Sequence, residues 1–268
     1  MPKAIVNGIN MYYEVHGKGL PLVMIQGFAG NHGAWFFQTP VFKNYYKVIV
    51  FDSRGIGKSG TSGEPYTIRT MADDVIGLMN HLNIDKAHIL GLSLGGIVAQ
   101  EIAISYPERV IKLILGSTIV GSEVKDVNPK MMDALGIREV SPDVDINEVD
   151  FRKLMNFMVS AAFNKMLYRM VFVPLSKFSL RYVDAEGCLR QMASVAGYDT
   201  LDRLPLIKAP TLVITGTGDR IVSPSVSDVI ASKIPNARLV KVKGGSHAFF
   251  MEMRGRFNAE VLNFLRNV

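Results

Sequence analysis

Cysteine is almost missing from this chain: Cys188 stands alone among 268 residues. A lone thiol excludes an intramolecular disulfide and fits a reducing compartment, so the cytoplasm is the expected location. No second element of a thiol site surrounds it, so packing is its expected role. Long hydrophobic runs are missing too. Nothing approaches the roughly 18 apolar residues of a membrane span, and Met1-Pro2-Lys3-Ala4-Ile5-Val6-Asn7 has no apolar run of signal-peptide length. Charged residues make up only 20% and hydrophobic ones 48%. That balance excludes a disordered chain and fits one large soluble domain, or a core carrying an insertion. The sequence contains no internal repeat and no low-complexity linker.

A formal charge of +6 invites a nucleic-acid reading. The basic residues are mostly dispersed, however, and no helix-turn-helix, zinc-finger or aromatic RNA-binding signature accompanies them, so no nucleic-acid partner is expected. One local asymmetry stands out. Arg152, Lys153, Lys165, Arg169, Lys177, Arg181 and Arg190 face only Asp184 and Glu186, after an acidic stretch of Asp143, Asp145, Glu148 and Asp150. Solvated helix faces would account for it, as would a rim attracting an anionic substrate. No His, Cys or carboxylate cluster has metal-ligand spacing, so neither metal nor cofactor is expected. Gly55-Ile56-Gly57-Lys58-Ser59-Gly60 matches G-x-G-x-x-G after a strand, but Thr61-Ser62-Gly63-Glu64-Pro65 cannot open the helix that a dinucleotide site requires. A phosphate loop fails as well, because its first glycine would fall at Asp52.

Short apolar runs set the organisation. Leu22–Ile25, Val48–Phe51, Ala87–Leu90, Leu113–Leu115 and Leu212–Ile214 read as buried strands, and Asn10–Val15 and Leu239–Val242 as two more. Gly33–Phe37 reads as a short helix. Thr67 caps a helix whose apolar face is Met71, Val75, Leu78, Met79 and Leu82. Ser223–Ile234 and Phe257–Leu265 read as closing helices. Alternating strands and helices imply an α/β fold with a mainly parallel central sheet flanked by helices. The alternation stops from about Thr118 to Leu206, where helical patterns rich in methionine and aromatics replace it. The expected division is therefore a core of residues 1–117 and 207–268 with an inserted helical cap, 118–206.

Gly91-Leu92-Ser93-Leu94-Gly95 lies between a strand and a helix, the context of a nucleophile elbow that lifts one hydroxyl above a sheet. A serine hydroxyl needs a base, and the base needs a carboxylate to orient it. The expected chain order is serine, acid, histidine. Asp219 follows the Leu212–Ile214 strand, and His247 follows the Leu239–Val242 strand. Both therefore stand at carboxyl ends, where parallel strands deliver side chains to a crevice. His16, His32, His81 and His88 lack that placement and are expected to be structural, His32 being the nearest to the site. The expected oxyanion donors are the backbone N–H groups of Leu94, at a helix N-terminus, and Phe28, in the Gln26–Gly30 loop.

These motifs together resemble the α/β-hydrolase superfamily, in particular its capped carboxylesterases, enol-lactone hydrolases and haloperoxidase-like enzymes. Gln26-Gly27-Phe28-Ala29-Gly30 is similar to the family's His-Gly oxyanion loop, with glutamine for the usual histidine. Phe51-Asp52-Ser53-Arg54-Gly55-Ile56-Gly57-Lys58-Ser59 resembles its Asp-x-Arg-Gly-x-Gly-x-Ser loop. The likeness spans nearly the whole chain. It implies the α/β-hydrolase fold and, with serine rather than aspartate at the elbow, acyl chemistry on a small-molecule ester or thioester. Met155, Met158, Met166 and Met170 would line an adaptable pocket under the cap, or pack the cap against the core. A carboxylesterase is the leading expectation. A lactonase, C–C hydrolase or thioesterase with an anionic substrate is the second, and a ligand-binding receptor with residual turnover is a remote third.

Overall fold

The computed structural model describes residues 2–61, 63–121, 185–195 and 197–266. Most of the expected cap, with Met155, Met158, Met166 and Met170, lies outside the described residues. The strands are β1 (Lys3–Val6), β2 (Ile9–His16), β3 (Pro21–Ile25), β4 (Lys47–Phe51), β5 (Ala87–Leu92), β6 (Val110–Gly116), β7 (Thr211–Gly216) and β8 (Ala237–Val242). The described helices are α1 (Thr39–Phe42), α2 (Ile68–His81), α3 (Leu94–Ser105), α4 (Ala185–Val195), α5 (Pro224–Lys233), α6 (Phe249–Glu252) and α7 (Arg254–Arg266), with a 3₁₀ turn at His32–Trp35.

The strands form one sheet in the order β1-β2-β4-β3-β5-β6-β7-β8. The pairings of β1 with β2 and β2 with β4 are antiparallel, and all others are parallel. The parallel strands read as continuous apolar runs because both faces are covered. Alternate side chains feed two separate cores. Val23, Ile25, Ile49, Ile89, Leu113 and Val213 meet α2, α3 and α5 on one face. Leu22, Met24, Val48, Leu90, Ile114 and Leu212 meet Trp35, α6 and α7 on the other. Thr67 caps α2 in a reciprocal box with Thr70, which closes two amides that the first turn leaves open.

Chain order reverses beside β3: β4 lies on one side of it and β5 on the other. In open α/β sheets such a reversal parts the loops beyond the strands' carboxyl ends and leaves a crevice there. The loop after β3 is Gln26–Gly30, and the turn after β5 carries Ser93.

Candidate active site

Ser93 adopts φ 52° and ψ −120°, a conformation that L-residues avoid and that costs about 1–3 kcal/mol. Packing enforces it. A Cβ at Gly91 would stand 2.2 Å from the Gly95 carbonyl oxygen, and one at Gly95 would stand 2.3 Å from that of Ile25. Both positions must be glycine for β5 to turn into α3 this tightly. The Ser93 N–H donates to the Gly116 carbonyl at 2.9 Å, and the Thr118 hydroxyl donates to the Ser93 carbonyl at 2.7 Å. A serine at a helix N-cap ordinarily spends its hydroxyl on a first-turn amide. Ser93 makes no such bond, so its hydroxyl is not spent on the first turn of α3.

Asp219 and His247 are brought together. His247 Nδ1 lies 2.8 Å from Asp219 Oδ2, and both side chains are buried. The other carboxylate oxygen accepts from the N–H groups of Ile221 and Val222 at 2.9 and 3.0 Å. Burial alone would raise the Asp219 pKa, but the neighbouring His247 and these two amides outweigh it and hold the carboxyl below its usual range. The two loops are tied through the Gly218 N–H to the Gly245 carbonyl and the Gly244 N–H to the Thr217 hydroxyl, each at 2.8 Å. Among the described residues no hydrogen bond joins the Ser93 hydroxyl to His247. Catalytic contacts of this kind often close only when substrate is bound.

The loop after β3 lies against the elbow. A Cβ at Gly27 would come within 3.1 Å of Ser93 Cβ and 3.7 Å of its Oγ, so Phe28 is carried next to the hydroxyl. Gln26 occupies the position where the family pattern has histidine. It accepts from the Gly27 N–H at 3.1 Å through its own side-chain oxygen and thus supports the loop, while its Nε2 is buried with no partner among the described residues. Leu94 is buried at the start of α3.

The Asp52–Ser59 loop is a scaffold. The fully buried Asp52 carboxylate accepts from the backbone N–H of His32 at 2.7 Å and of Lys58 at 2.9 Å, and it sits 2.7 Å from His32 Nδ1. His32 is thereby a bracing residue, in keeping with its expected structural role. Arg54 makes a buried two-point pair with Asp74 on α2, at 2.5 and 2.6 Å. Burial raises the Asp74 pKa, and Arg54 and Asn7 only partly offset it. Cys188 is buried on α4. No helix opens at Gly55–Gly60, and the described residues hold no cluster of three metal-ligating side chains.

Several functional-looking side chains escaped the sequence. Gln191 on α4 accepts from the Ala29 N–H at 2.9 Å. Gln100 and Glu101 on α3 bond to residues on both sides of the undescribed stretch 122–184. Gln100 Nε2 donates to the Ile119 carbonyl at 2.9 Å, and its oxygen accepts from the Thr200 hydroxyl at 2.7 Å. Glu101 accepts from Tyr198 at 2.5 Å and Arg203 at 2.9 Å. A bridge between Gly121 and Asp199 brings the two ends side by side. Arg190 pairs with the exposed Glu186 through Nη2, and its Nη1 is buried with no partner among the described residues. No local pattern marks Gln191, Gln100 or Glu101, because the partners named for them are remote in sequence; Arg190 belongs to the basic segment that the sequence shows, and its partner is four residues away.

Comparison with known proteins agrees with this architecture. A family model described as the alpha/beta hydrolase fold matches residues 21–143 and 176–253. A protein of Azorhizobium caulinodans named as a carbamate hydrolase, RutD, is 27% identical over 264 residues, covering 98% of each chain. One of Synechocystis sp. named as a non-heme chloroperoxidase is 31% identical over 271 residues, covering 96% of this chain and 95% of the relative. The crystal structure of the enol-lactonase from Burkholderia xenovorans superposes with a TM-score of 0.83 at 26% identity, covering 99% of this chain and all of that one. With its sheet order, its elbow and three quarters of its length matched by the family model, the chain belongs to the α/β-hydrolase superfamily.

Proposed function

We propose that the protein is a serine hydrolase of the carboxylesterase type, cleaving small to medium acyl esters through an acyl-enzyme on Ser93. His247 takes the serine proton during attack, passes it to the leaving group, and then activates the water that releases the acid. Asp219 fixes the ring's tautomer and stabilises the imidazolium. The Phe28 and Leu94 N–H groups receive the oxyanion, each contributing about 3 kcal/mol in the transition state. The core is formed by residues 1–117 and 207–268, and 118–206 is a cap that closes over the crevice.

The observation that carries this reading is the Asp219–His247 pair. A carboxylate kept ionised by two amides and an imidazole, both buried at the carboxyl ends of β7 and β8, has the form of an orienting acid and its base. Its test is a panel of p-nitrophenyl esters of rising acyl length, run beside Ser93→Ala. Rapid turnover of the short esters, abolished in the variant, is the expected result. Stoichiometric binding with negligible turnover would replace the enzyme with a receptor.

A second reading has its own observation, the half-buried Arg190 guanidinium, whose inward Nη1 has no hydrogen-bond partner among the described residues. An anionic substrate would supply one, as a carboxylated lactone, an acyl-CoA thioester or a carbamate would. The relatives named as a carbamate hydrolase and an enol-lactonase act, by those names, on carbonyls that the same attack could open. Preference for anionic over neutral esters, lost at high salt and in Arg190→Met, would favour this reading over the first.

A further inference from the structure

Both peptide groups that flank Ser93 are held by the chain leaving β6. The Ser93 N–H donates to the Gly116 carbonyl at 2.9 Å, and the Ser93 carbonyl accepts from the Thr118 hydroxyl at 2.7 Å. Between these two contacts the chain turns back through Ser117, at φ 42°. The Ser117 N–H is itself fixed to the Ile214 carbonyl of β7 at 3.0 Å. Thr118 is buried. Its hydroxyl's other acceptor among the described residues, the Ile119 carbonyl, lies at 3.4 Å and already takes the Gln100 amide at 2.9 Å, so the shorter contact takes the proton. The approach needs a glycine opposite. A Cβ at Gly96 would stand 2.5 Å from both Cβ and Oγ1 of Thr118.

The Ser93 carbonyl belongs to the same peptide as the Leu94 N–H. A trans peptide is planar, so its N–H points opposite to its C=O, and whatever fixes the one aims the other. The Gly96 and Ile97 N–H groups also donate to this carbonyl, at 2.8 and 3.3 Å, but they sit on α3 and move with it. Thr118, on the chain leaving β6, ties the peptide to the sheet. We propose that Thr118 is a positioning residue: its hydroxyl orients the Ser93–Leu94 peptide so that the Leu94 N–H meets the oxyanion. By bonding the far end of the amide it also polarises that N–H and strengthens it as a donor. The proposal rests on the acyl-transfer reading above and deepens it, since the donor is then held by the first residue of the segment proposed as the cap.

The test uses Thr118→Val, which keeps the shape and removes the hydroxyl, Thr118→Ala, which removes it without setting a methyl against the Ser93 oxygen, and Thr118→Ser, which keeps it. The valine and alanine variants should each lower kcat on a short p-nitrophenyl ester by about 10-fold, the upper end for one neutral hydrogen bond, with KM within about 2-fold. Thr118→Ser should recover most of the loss. A boronic acid forms an anionic tetrahedral adduct on a serine, so its affinity should fall by the same factor as kcat in Thr118→Val. A purely structural role would lower the melting temperature and leave kcat and boronate affinity of the folded protein at wild-type values. Wild-type kcat in both hydroxyl-free variants, a serine variant as slow as the valine one, a boronate affinity that does not follow kcat, or failure of both hydroxyl-free variants to fold would each overturn the proposal. Wild-type protein that neither turns over any ester nor binds the boronic acid would overturn the acyl-transfer reading and the proposal with it. An active wild type matched by Thr118→Val and Thr118→Ala overturns the proposal alone.

Discussion

Gly95→Ala tests how much of the site is held by close backbone approach. The added Cβ would lie 2.3 Å from the Ile25 carbonyl oxygen and 2.4 Å from that of Gln26. Neither obstacle is a side-chain end that can swing aside, so the end of β3 must retreat by roughly 1 Å to reach ordinary contact. Overpacking of that kind costs about 1–3 kcal/mol, which for a chain of this size is a fall of roughly 3–10 °C in Tm. The residues pushed back lead directly into Gly27 and Phe28. A shift of this size between Ser93 and the Phe28 N–H should cost about 100-fold in kcat. Thermal unfolding followed by circular dichroism and hydrolysis of p-nitrophenyl acetate would measure the two effects. Gly255→Ala is the control: its Cβ meets nothing within 4 Å, and on helix α7 it should leave Tm unchanged or slightly raised. A Gly95→Ala protein with wild-type kcat and a Tm within about 1 °C of wild type would refute the argument that steric closeness sets the elbow.

Four further outcomes are expected. Asp219→Asn should leave the fold intact and lower kcat by about 10³–10⁴-fold, because the amide presents the wrong partner to His247 Nδ1; a drop below 10-fold would count against the orienting role. Ser93→Gly should abolish esterase activity and raise stability by about 1 kcal/mol in urea titration, since glycine tolerates φ 52°. His88 is buried on β5, and burial, assisted by the charge on Lys112, lowers its pKa from 6.5 to about 4. The folded state therefore refuses a proton that the unfolded chain accepts. Stability should fall as pH drops from 6.5 toward 4, by up to about 3 kcal/mol at 1.36 kcal/mol per pH unit, and His88→Leu should flatten that limb. Glu101 shifts the same way for another reason: burial raises its pKa, but hydrogen bonds from Ser105, Tyr198 and Arg203 outweigh it, so the value is depressed. Its contribution is complete above the ordinary carboxylate range and disappears as pH falls through the folded value. Glu101→Gln should cost about 2 kcal/mol at neutral pH and little in acid, as read from urea midpoints at the two pH values.

The interior of the fold was legible because burial on both sheet faces writes itself into sequence. Leu22–Ile25 and Leu212–Ile214 are apolar without interruption, and they are the centres of β3 and β7. Edge strands give weaker signals. β1 alternates exposed Lys3 and Ile5 with buried Ala4 and Val6, too short a pattern to stand out. The turn that follows it, Asn7-Gly8 with φ 43° and 80°, is a pair that two-residue hairpins favour, yet it goes unread without a recognisable strand before it. Asp219 and His247 stand out in the sequence by chain order and by their places after strands, and the fold pairs them. Gln191 does not stand out, because its partner is 162 positions away and a glutamine on a helix is ordinarily a surface residue. Arg54 and Asp74 were hidden in the same way. The loop motif flagged Arg54, but only the folded chain brings α2 to it.

The Gly121–Asp199 bridge has a consequence for how this chain can change. Because Gln100 and Glu101 tie down the residues on both sides of that bridge, the excursion begins and ends at one point on the core. Extra length inserted between those anchors adds a loop-closure term to the folding free energy, about 0.6 kcal/mol for each doubling. Insertions there place little strain on the sheet so long as α4 keeps Cys188 in the core, Gly187 against Gly55 and Gln191 on Ala29.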